Sequence, residues 1–209
     1  LTKFLVVFDV DSTLIEDEAI ELLAERAGKR SEVAAITERA MRGELDFSAS
    51  LVERVETLKG LPESVLGEVS QLLKPTKGAA ALVSAIHERG GAAAAVSGGF
   101  IQLLGPVKKA IGFDFEKANT LEVLDGQLTG RVIGQIVDRQ AKAEALLSWA
   151  AELKVPISQT IAVGDGANDL GMMEVAGLSV AFCAKPIVRQ KAKIALNERD
   201  LASLIQLLP

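Results

Sequence analysis

The chain has 209 residues, 49% hydrophobic and 24% charged, and its 23 Lys and Arg against 28 Asp and Glu give a formal net charge of −5. This is the composition of an ordinary globular protein, and the acidic balance offers no general attraction to nucleic acid or to an anionic membrane. A single histidine (His87), a single cysteine (Cys183) and no tyrosine exclude a Cys₂His₂ zinc site and a disulfide framework and leave a histidine-dependent hydrolase triad only His87. Unless His87 serves, catalysis falls to carboxylates, lysine, hydroxyls, backbone amides or a bound metal.

Lys3-Phe4-Leu5-Val6-Val7-Phe8 is a short apolar, β-rich run of the kind expected for a strand buried on both faces. It runs directly into Asp9 and Asp11, so it does not read as a signal peptide, and no apolar run reaches the ~18 residues of a membrane-spanning helix. A reducing, cytoplasmic location is expected for a chain with one cysteine. The chain begins at Leu1, which leaves open a trimmed start or a piece of a longer protein, and a homodimer is left open too.

Residues 16–73 read as successive helices without a convincing strand, stopped and restarted at Gly28, Gly43 and Gly60-Leu61-Pro62. Beyond them, apolar runs at about 92–96, 160–163 and 179–182 alternate with helical patterns at about 77–89, 101–111, 138–153 and 169–176. That alternation predicts βαβ units and an α/β, doubly wound parallel sheet. Asp125-Gly126 between two alternating runs, residues 121–132, predicts a β-hairpin. The expected organisation is a catalytic core of residues 1–15 and 75–209, with residues 16–74 as a small helical cap inserted after the first strand.

Four polar clusters fall at or just past predicted strand ends, where open α/β sheets bind ligands. Asp9 and Asp11 stand two apart, so an extended chain points both carboxylates the same way. Each also suits a capped turn, the simpler reading of an isolated Asp-x-Asp. Gly164-Asp165-Gly166-Ala167-Asn168-Asp169 adds more acids at a second strand end, and oxygen ligands so grouped suit a hard cation, Mg²⁺ in particular. Ser97-Gly98-Gly99 offers a hydroxyl and backbone N–H groups at a helix start, an anion-binding arrangement that many loops share. Lys142 lies early in its helix, where a cation is unfavourable, although a solvated lysine is the commonest explanation. Carboxylates, a metal, a hydroxyl with backbone donors and a lysine are together what phosphoryl transfer requires. No Gly-x-x-x-x-Gly-Lys-Ser/Thr loop is present, which argues against a nucleotide site of that type.

Asp9-Val10-Asp11-Ser12-Thr13, Ser97-Gly98, Lys142 and Gly164-Asp165-Gly166-x-Asn168-Asp169 come in the order of the four motifs of the haloacid dehalogenase superfamily, which the whole chain resembles. Within it the sequence is most similar to the phosphoserine phosphatase family, through the helical insertion and the stretches Ala40–Phe47, Val96–Phe100 and Ala181–Pro186. The resemblance implies Mg²⁺-dependent hydrolysis of O-phospho-L-serine, the last step of serine synthesis, through an aspartyl-phosphate. Asp9 would be the nucleophile and Asp11 the proton donor and later the base. Asp9, the Asp11 backbone carbonyl and Asp165 would hold the metal with Asp169 in support, and Ser97, Gly98, Lys142 and Asn168 would bind phosphate. Glu18 would take the substrate's amino group, Arg54 its carboxylate, and Met41 and Phe47 would form an apolar wall. Read without the resemblance, Glu16, Glu18 and Glu21 are not separable. A phosphatase for another small phosphomonoester, or a non-catalytic phosphate-binding module, remains an alternative. His87 reads as a surface residue at a helix end, Cys183 as a small buried hydrophobe and Trp149 as core or interface.

Overall fold

The structure is a computed structural model. It describes every residue except 42 and 43, and the side chain of Met41 also lies outside the description. The expected stop at Gly43 therefore falls outside the described residues.

Seven strands, β1 (Leu5–Phe8), β2 (Ala92–Phe100), β3 (Phe115–Leu124), β4 (Gln127–Ile133), β5 (Thr160–Gly164), β6 (Leu178–Phe182) and β7 (Ile194–Leu196), form one sheet in the order β4-β3-β2-β1-β5-β6-β7. All neighbours are parallel except β3 and β4. Alternation along β1 divides its residues between two layers. Phe4, Val6 and Phe8 join the apolar cluster that includes α5 (Ala79–Glu88) and α6 (Leu104–Ile111). Leu5 and Val7 join the cluster of α7 (Arg139–Glu152), α8 (Leu170–Val175) and α9 (Pro186–Lys191). The alanine run of β2 is split likewise, Ala93 and Ala95 to one side, Ala92 and Ala94 to the other. Burying large side chains such as Phe4 and Phe8 contributes ~1.5–3 kcal/mol each.

Residues 16–73 fold as α1 (Ala19–Arg26), α2 (Arg30–Met41), α3 (Phe47–Glu56) and α4 (Ser64–Ser70), with no named strand among the described residues. Gly28 ends the first turn of chain after α1 in the left-handed region at φ 67°, a conformation glycine adopts without steric cost. Asp46 caps α3, accepting from the Ala49 N–H at 2.7 Å. The segment leaves and rejoins the sheet at one place: Glu16 N–H donates to Lys74 O (2.9 Å) and Thr76 N–H to Leu14 O (2.8 Å), around an Ile15–Pro75 bridge. It is held a second time by the hairpin, where Gly60 N–H donates to Leu128 O and Leu128 N–H to Leu61 O, both at 2.8 Å. Its buried residues, including Leu23, Leu51, Val55 and Val69, belong to the same apolar cluster as Phe8 and Phe100.

The structure differs from the sequence reading in several places. β2 runs four residues past Val96, through Ser97-Gly98-Gly99 to Phe100, and a short 3₁₀ turn precedes α6. β3 begins at Phe115, because its first half pairs with β2 in parallel before its second half turns into the hairpin. α9 and β7 were not anticipated; neither the six-residue helix nor the three-residue strand is long enough to carry a periodic signal. The hairpin turn is as expected, with Asp125 (φ 51°) and Gly126 (φ 74°) both left-handed. Cys183 is half-buried at φ 45° rather than a buried core residue. His87 lies in the last turn of α5, 2.9 Å from Asp114 Oδ2, and Trp149 packs against Phe115 with ring centroids 6.2 Å apart.

Candidate active site

β1 and β5 are hydrogen-bonded neighbours, so their carboxyl ends bring Asp9 and Asp165 to the same edge. β1 ends at Phe8 and the chain then coils tightly over Val10–Leu14, with Ser12 at φ 58°. Strand alternation therefore does not aim the pair; the turn does, and both Asp9 and Asp11 line the same cavity. Below them Lys142, completely buried, donates to Asp169 Oδ1 at 2.7 Å and to Asp9 Oδ1. Asp169 is committed on its other oxygen as well, accepting from the Asp165 N–H (3.0 Å) and the Gly166 N–H (2.9 Å). Gly164 makes room for it: a β-carbon there would lie 2.5 Å from Asp169. The early position of Lys142 is thus explained, since α7, capped by Asp138 on Ala141 N–H at 2.9 Å, delivers an ammonium between two buried carboxylates.

The end of β2 supplies a third wall. Ser97 is buried, and its Oγ accepts from the Gly99 N–H at 2.8 Å, which leaves the hydroxyl proton free to donate elsewhere. A β-carbon on Gly98 would meet the Phe47 ring at 2.6 Å, and one on Gly99 would meet Asp11 Oδ2 at 2.9 Å, so both glycines permit close approach. Buried Asn119 anchors the loop, donating to Gly98 O and accepting from Val137 N–H, both at 2.8 Å.

The helical segment closes the site from above and leaves a cavity of about 710 Å³. Its lining combines Asp9, Asp11, Gly98, Gly99, Asp165 and Asn168 with Glu18, Glu21, Phe47 and Arg54. Ser97 and Lys142 lie one hydrogen bond behind lining residues, Gly99 and Asp9 respectively. The Glu18 carboxylate accepts from the Ser12 hydroxyl at 2.7 Å. Arg54 is half-buried, with Nε donating to Ser50 O at 3.2 Å. Glu16 is not among the lining residues, so the structure separates it from Glu18 and Glu21. The predicted wall residue Met41 has its side chain outside the described residues.

Charge is in surplus at the sheet edge. Burial and then the nearby Asp169 push Asp9 well above the usual carboxylate range, with Lys142 opposing. Burial, then the field of Glu18, raises Asp11 to about 7, against the Ala19 N–H that its Oδ1 accepts. Burial and Asp169 raise Asp165 to about 6, with Lys185 and the Thr13 hydroxyl opposing. Burial works against the Lys142 ammonium, but the Asp169 and Asp9 carboxylates more than offset it, and its pKa is raised. Asp9, Asp165 and Asp169 each present an oxygen within 4.8 Å of the others. Crowded carboxylates that resist ionisation are a donor set a hard divalent cation fits, because the cation removes the repulsion. With both Asp169 oxygens already accepting hydrogen bonds, Asp9 and Asp165 are the freer donors.

Reading the sequence alone missed Asn119, Thr13, Lys185 and Arg139. Thr13 Oγ1 donates to Asp165 Oδ1 at 3.3 Å, and the Lys185 N–H to Asp165 O at 3.0 Å. Arg139 lines the cavity while paired with Glu174 at 2.6 Å. A threonine, lysine or asparagine of this kind has no local signature, and Asn119 precedes the residues 121–132 read as a hairpin; its need for partners shows only once it is buried.

A family model described as haloacid dehalogenase-like hydrolase matches residues 6–174. A phosphoserine phosphatase of Streptococcus thermophilus is 53% identical over 206 residues, 99% of this chain and 96% of that protein. The phosphoserine phosphatase SerB2 of Mycobacterium tuberculosis is 50% identical over 207 residues, and there the chain spans only 51% of the relative's length. Among solved structures, a phospho-aspartyl intermediate analogue of phosphoserine phosphatase superposes with a TM-score of 0.94 at 42% identity, covering all of both chains.

Proposed function

The chain belongs to the haloacid dehalogenase-like hydrolase family, and we propose that it hydrolyses O-phospho-L-serine to serine and phosphate through a phosphorylated Asp9. In this reading an Asp9 oxygen attacks phosphorus, the bond from phosphorus to the serine oxygen breaks, and Asp11 gives its proton to the departing serine. In the second half Asp11 takes a proton from the attacking water while the bond between phosphorus and Asp9 breaks, releasing phosphate and restoring both residues. The observation that carries the proposal is the pairing of two unlike carboxylates in one cavity. Asp9 is held in contact with the buried Lys142, whereas Asp11, raised to about 7, is poised both to give and to accept a proton near neutral pH.

Asp9, the Asp11 carbonyl and Asp165 would hold Mg²⁺, with Asp169 supporting through Lys142 and the Asp165 and Gly166 amides. Bound there, the ion supplies charge neutralisation for the carboxylates and the entering phosphate. The Ser97 hydroxyl, the Gly98 amide, Lys142 and Asn168 bind the phosphoryl oxygens. Glu18 receives the ammonium and Arg54 the carboxylate, with Phe47, packed over Gly98, keeping water from the phosphorus. Residues 16–74 act as the cap that carries these selective groups. Among the described residues no helix is long and apolar enough to cross a membrane; a cytoplasmic location is proposed from the single cysteine alone.

The test is phosphate release with Mg²⁺ from phosphoserine, phosphothreonine and a simple aryl phosphate. Phosphoserine should be preferred over the aryl phosphate, which has neither ammonium nor carboxylate, by at least about tenfold in kcat/KM, the ratio expected from one charge-assisted contact. Equal turnover of all three would point to a general phosphomonoesterase, and no turnover of any would leave a phosphate-binding module.

A further inference from the structure

Two carboxylates border the cavity where α1 begins: Glu18, the extended residue just before the helix, and Glu21 in its first turn. They are not equivalent. Glu18 accepts the Ser12 hydroxyl, whereas the Glu21 side chain has no hydrogen bond or ion pair among the described residues. Both carboxylates act electrostatically on Arg54, whose guanidinium burial lowers and whose neighbours Glu18, Asp11 and Glu21 hold up. The other cations that line the cavity are engaged away from α1: Arg139 is paired with Glu174, and Lys185 faces Asp165.

A charge count at this end of the cavity follows. Arg54 contributes +1, Glu18 and Glu21 −1 each, and Asp11 counts as neutral because in the proposed mechanism it holds the proton for the departing serine. If Arg54 meets a substrate carboxylate and Glu18 an ammonium, one negative charge is left over, and it belongs to Glu21. A zwitterionic end fits such a surround. An end bearing a carboxylate without an ammonium is repelled, through a field that solvent and salt partly screen because Glu21 is exposed.

We infer that Glu21 is a specificity-determining residue that acts by exclusion, disfavouring phosphomonoesters that carry a carboxylate but no amine. The inference rests on the reading of this cavity as a phosphoserine site. Selectivity built from a repulsive element, beside an attractive one, is a general way to separate similar ligands. Glu18 attracts the correct substrate; Glu21 penalises the near miss.

The experiment compares wild type with Glu21→Gln and Glu21→Lys on three substrates. These are phosphoserine, 3-phosphooxypropionate, which keeps the carboxylate and lacks the amine, and phosphoethanolamine, which keeps the amine and lacks the carboxylate. In Glu21→Gln, kcat/KM for phosphooxypropionate should rise about three- to tenfold, as expected for relief of one partly screened like-charge contact. Phosphoserine should change less than about threefold, and Glu21→Lys should narrow the ratio further. The wild-type ratio of phosphoserine to phosphooxypropionate should shrink as salt is raised, and the variants' ratio should depend less on salt. An unchanged ratio, or an equal loss on all three substrates, overturns the exclusion role. A wild type that does not prefer phosphoserine overturns the underlying functional reading instead, so the two failures are distinguishable.

Discussion

The floor of the cavity and its helical wall are built on opposite physical terms. On the floor, Asp9, Lys142 and Asp169 are buried and joined by direct hydrogen bonds, with Asp9 and Asp169 placed just past strands in the middle of the sheet and Lys142 by α7. On the wall, Glu18 and Glu21 are exposed and Arg54 is half-buried, at the start of α1 and on α3, with few polar ties. A buried ionic network tolerates no missing member, because the remaining charges have neither water nor partner. An exposed wall residue can change at small cost to the fold. On the proposed reading, chemistry sits where the structure is least forgiving and selectivity where it is most forgiving, which separates the consequences of mutating each.

The largest expected effect tests the floor. Asp9→Asn should lower kcat about ten-thousandfold or more, the scale seen when a nucleophile is removed, and should abolish acid-labile phosphate bound to the protein. Turnover within tenfold of wild type would show that the floor is not where bonds change. Lys142→Met keeps the volume but strands two carboxylates. Chemical denaturation should show a loss of about 3–5 kcal/mol, and a stability within 1 kcal/mol of wild type would break the contrast with the wall.

Arg54→Ala is the matching probe above. Its kcat/KM for phosphoserine should fall roughly 10- to 100-fold through the loss of charge-assisted hydrogen bonds. Turnover of phosphoethanolamine should be nearly unaffected, as should denaturant stability. Parallel loss on both substrates would mean that the wall supports the floor instead of selecting.

How much of this was legible in the sequence follows the same division. Asp9, Asp11, Asp165 and Asp169 were visible because strand ends and glycine-rich turns announce themselves locally, and the strand-helix alternation gave the parallel sheet. Lys142 was visible only as an oddity of helix position, and its explanation needed Asp169 folded beneath it. Glu18, Glu21 and Glu16 are indistinguishable by local pattern, since any surface helix carries such residues; which of them faces the cavity depends on how α1 seats on the sheet. Asn119 and the early start of β3 depend on pairing with β2, a long-range event that a local window does not contain. The expected alignment of Asp9 and Asp11 was right in outcome and wrong in cause, since a turn and not an extended strand directs them.

A smaller effect sharpens the electrostatic half of the comparison. Asp11 and Asp165 are raised to about 7 and about 6 in the folded chain, above their ordinary value near 3.9. The folded state therefore binds more protons than the unfolded one between about pH 4 and these values, and stability declines as pH rises through that window. With metal chelated, the melting temperature should fall by several degrees between pH 5 and 7.5. Adding Mg²⁺ should restore more at pH 7.5 than at pH 5, because the ion binds the ionised carboxylates. A melting temperature that rises with pH in chelator would contradict a floor short of positive charge.

The smallest effect lies at the junction of the two regions. Thr76 is buried, 2% exposed, and its Oγ1 has no hydrogen-bond partner among the described residues. Thr76→Val should leave denaturant stability unchanged or raise it by about 1 kcal/mol, since it removes an unsatisfied hydroxyl. A loss of more than 1 kcal/mol would mean that the hydroxyl is needed where the wall meets the sheet.

That junction also bears on how such a molecule can diversify. Because the chain departs at Ile15 and returns at Pro75 side by side, the helices between them are a detour that among the named strands touches the sheet's hydrogen bonding only at β4. Lengthening the detour or exchanging it alters neither the order nor the direction of any strand, and loop closure grows only slowly with length. Two requirements remain on any replacement: an apolar face for Phe8 and Phe100, which share a cluster with the present helices, and partners for the Leu128 N–H and C=O now bonded to Leu61 and Gly60. Under those two conditions, a lineage can inherit the reaction from the sheet and acquire its choice of substrate separately.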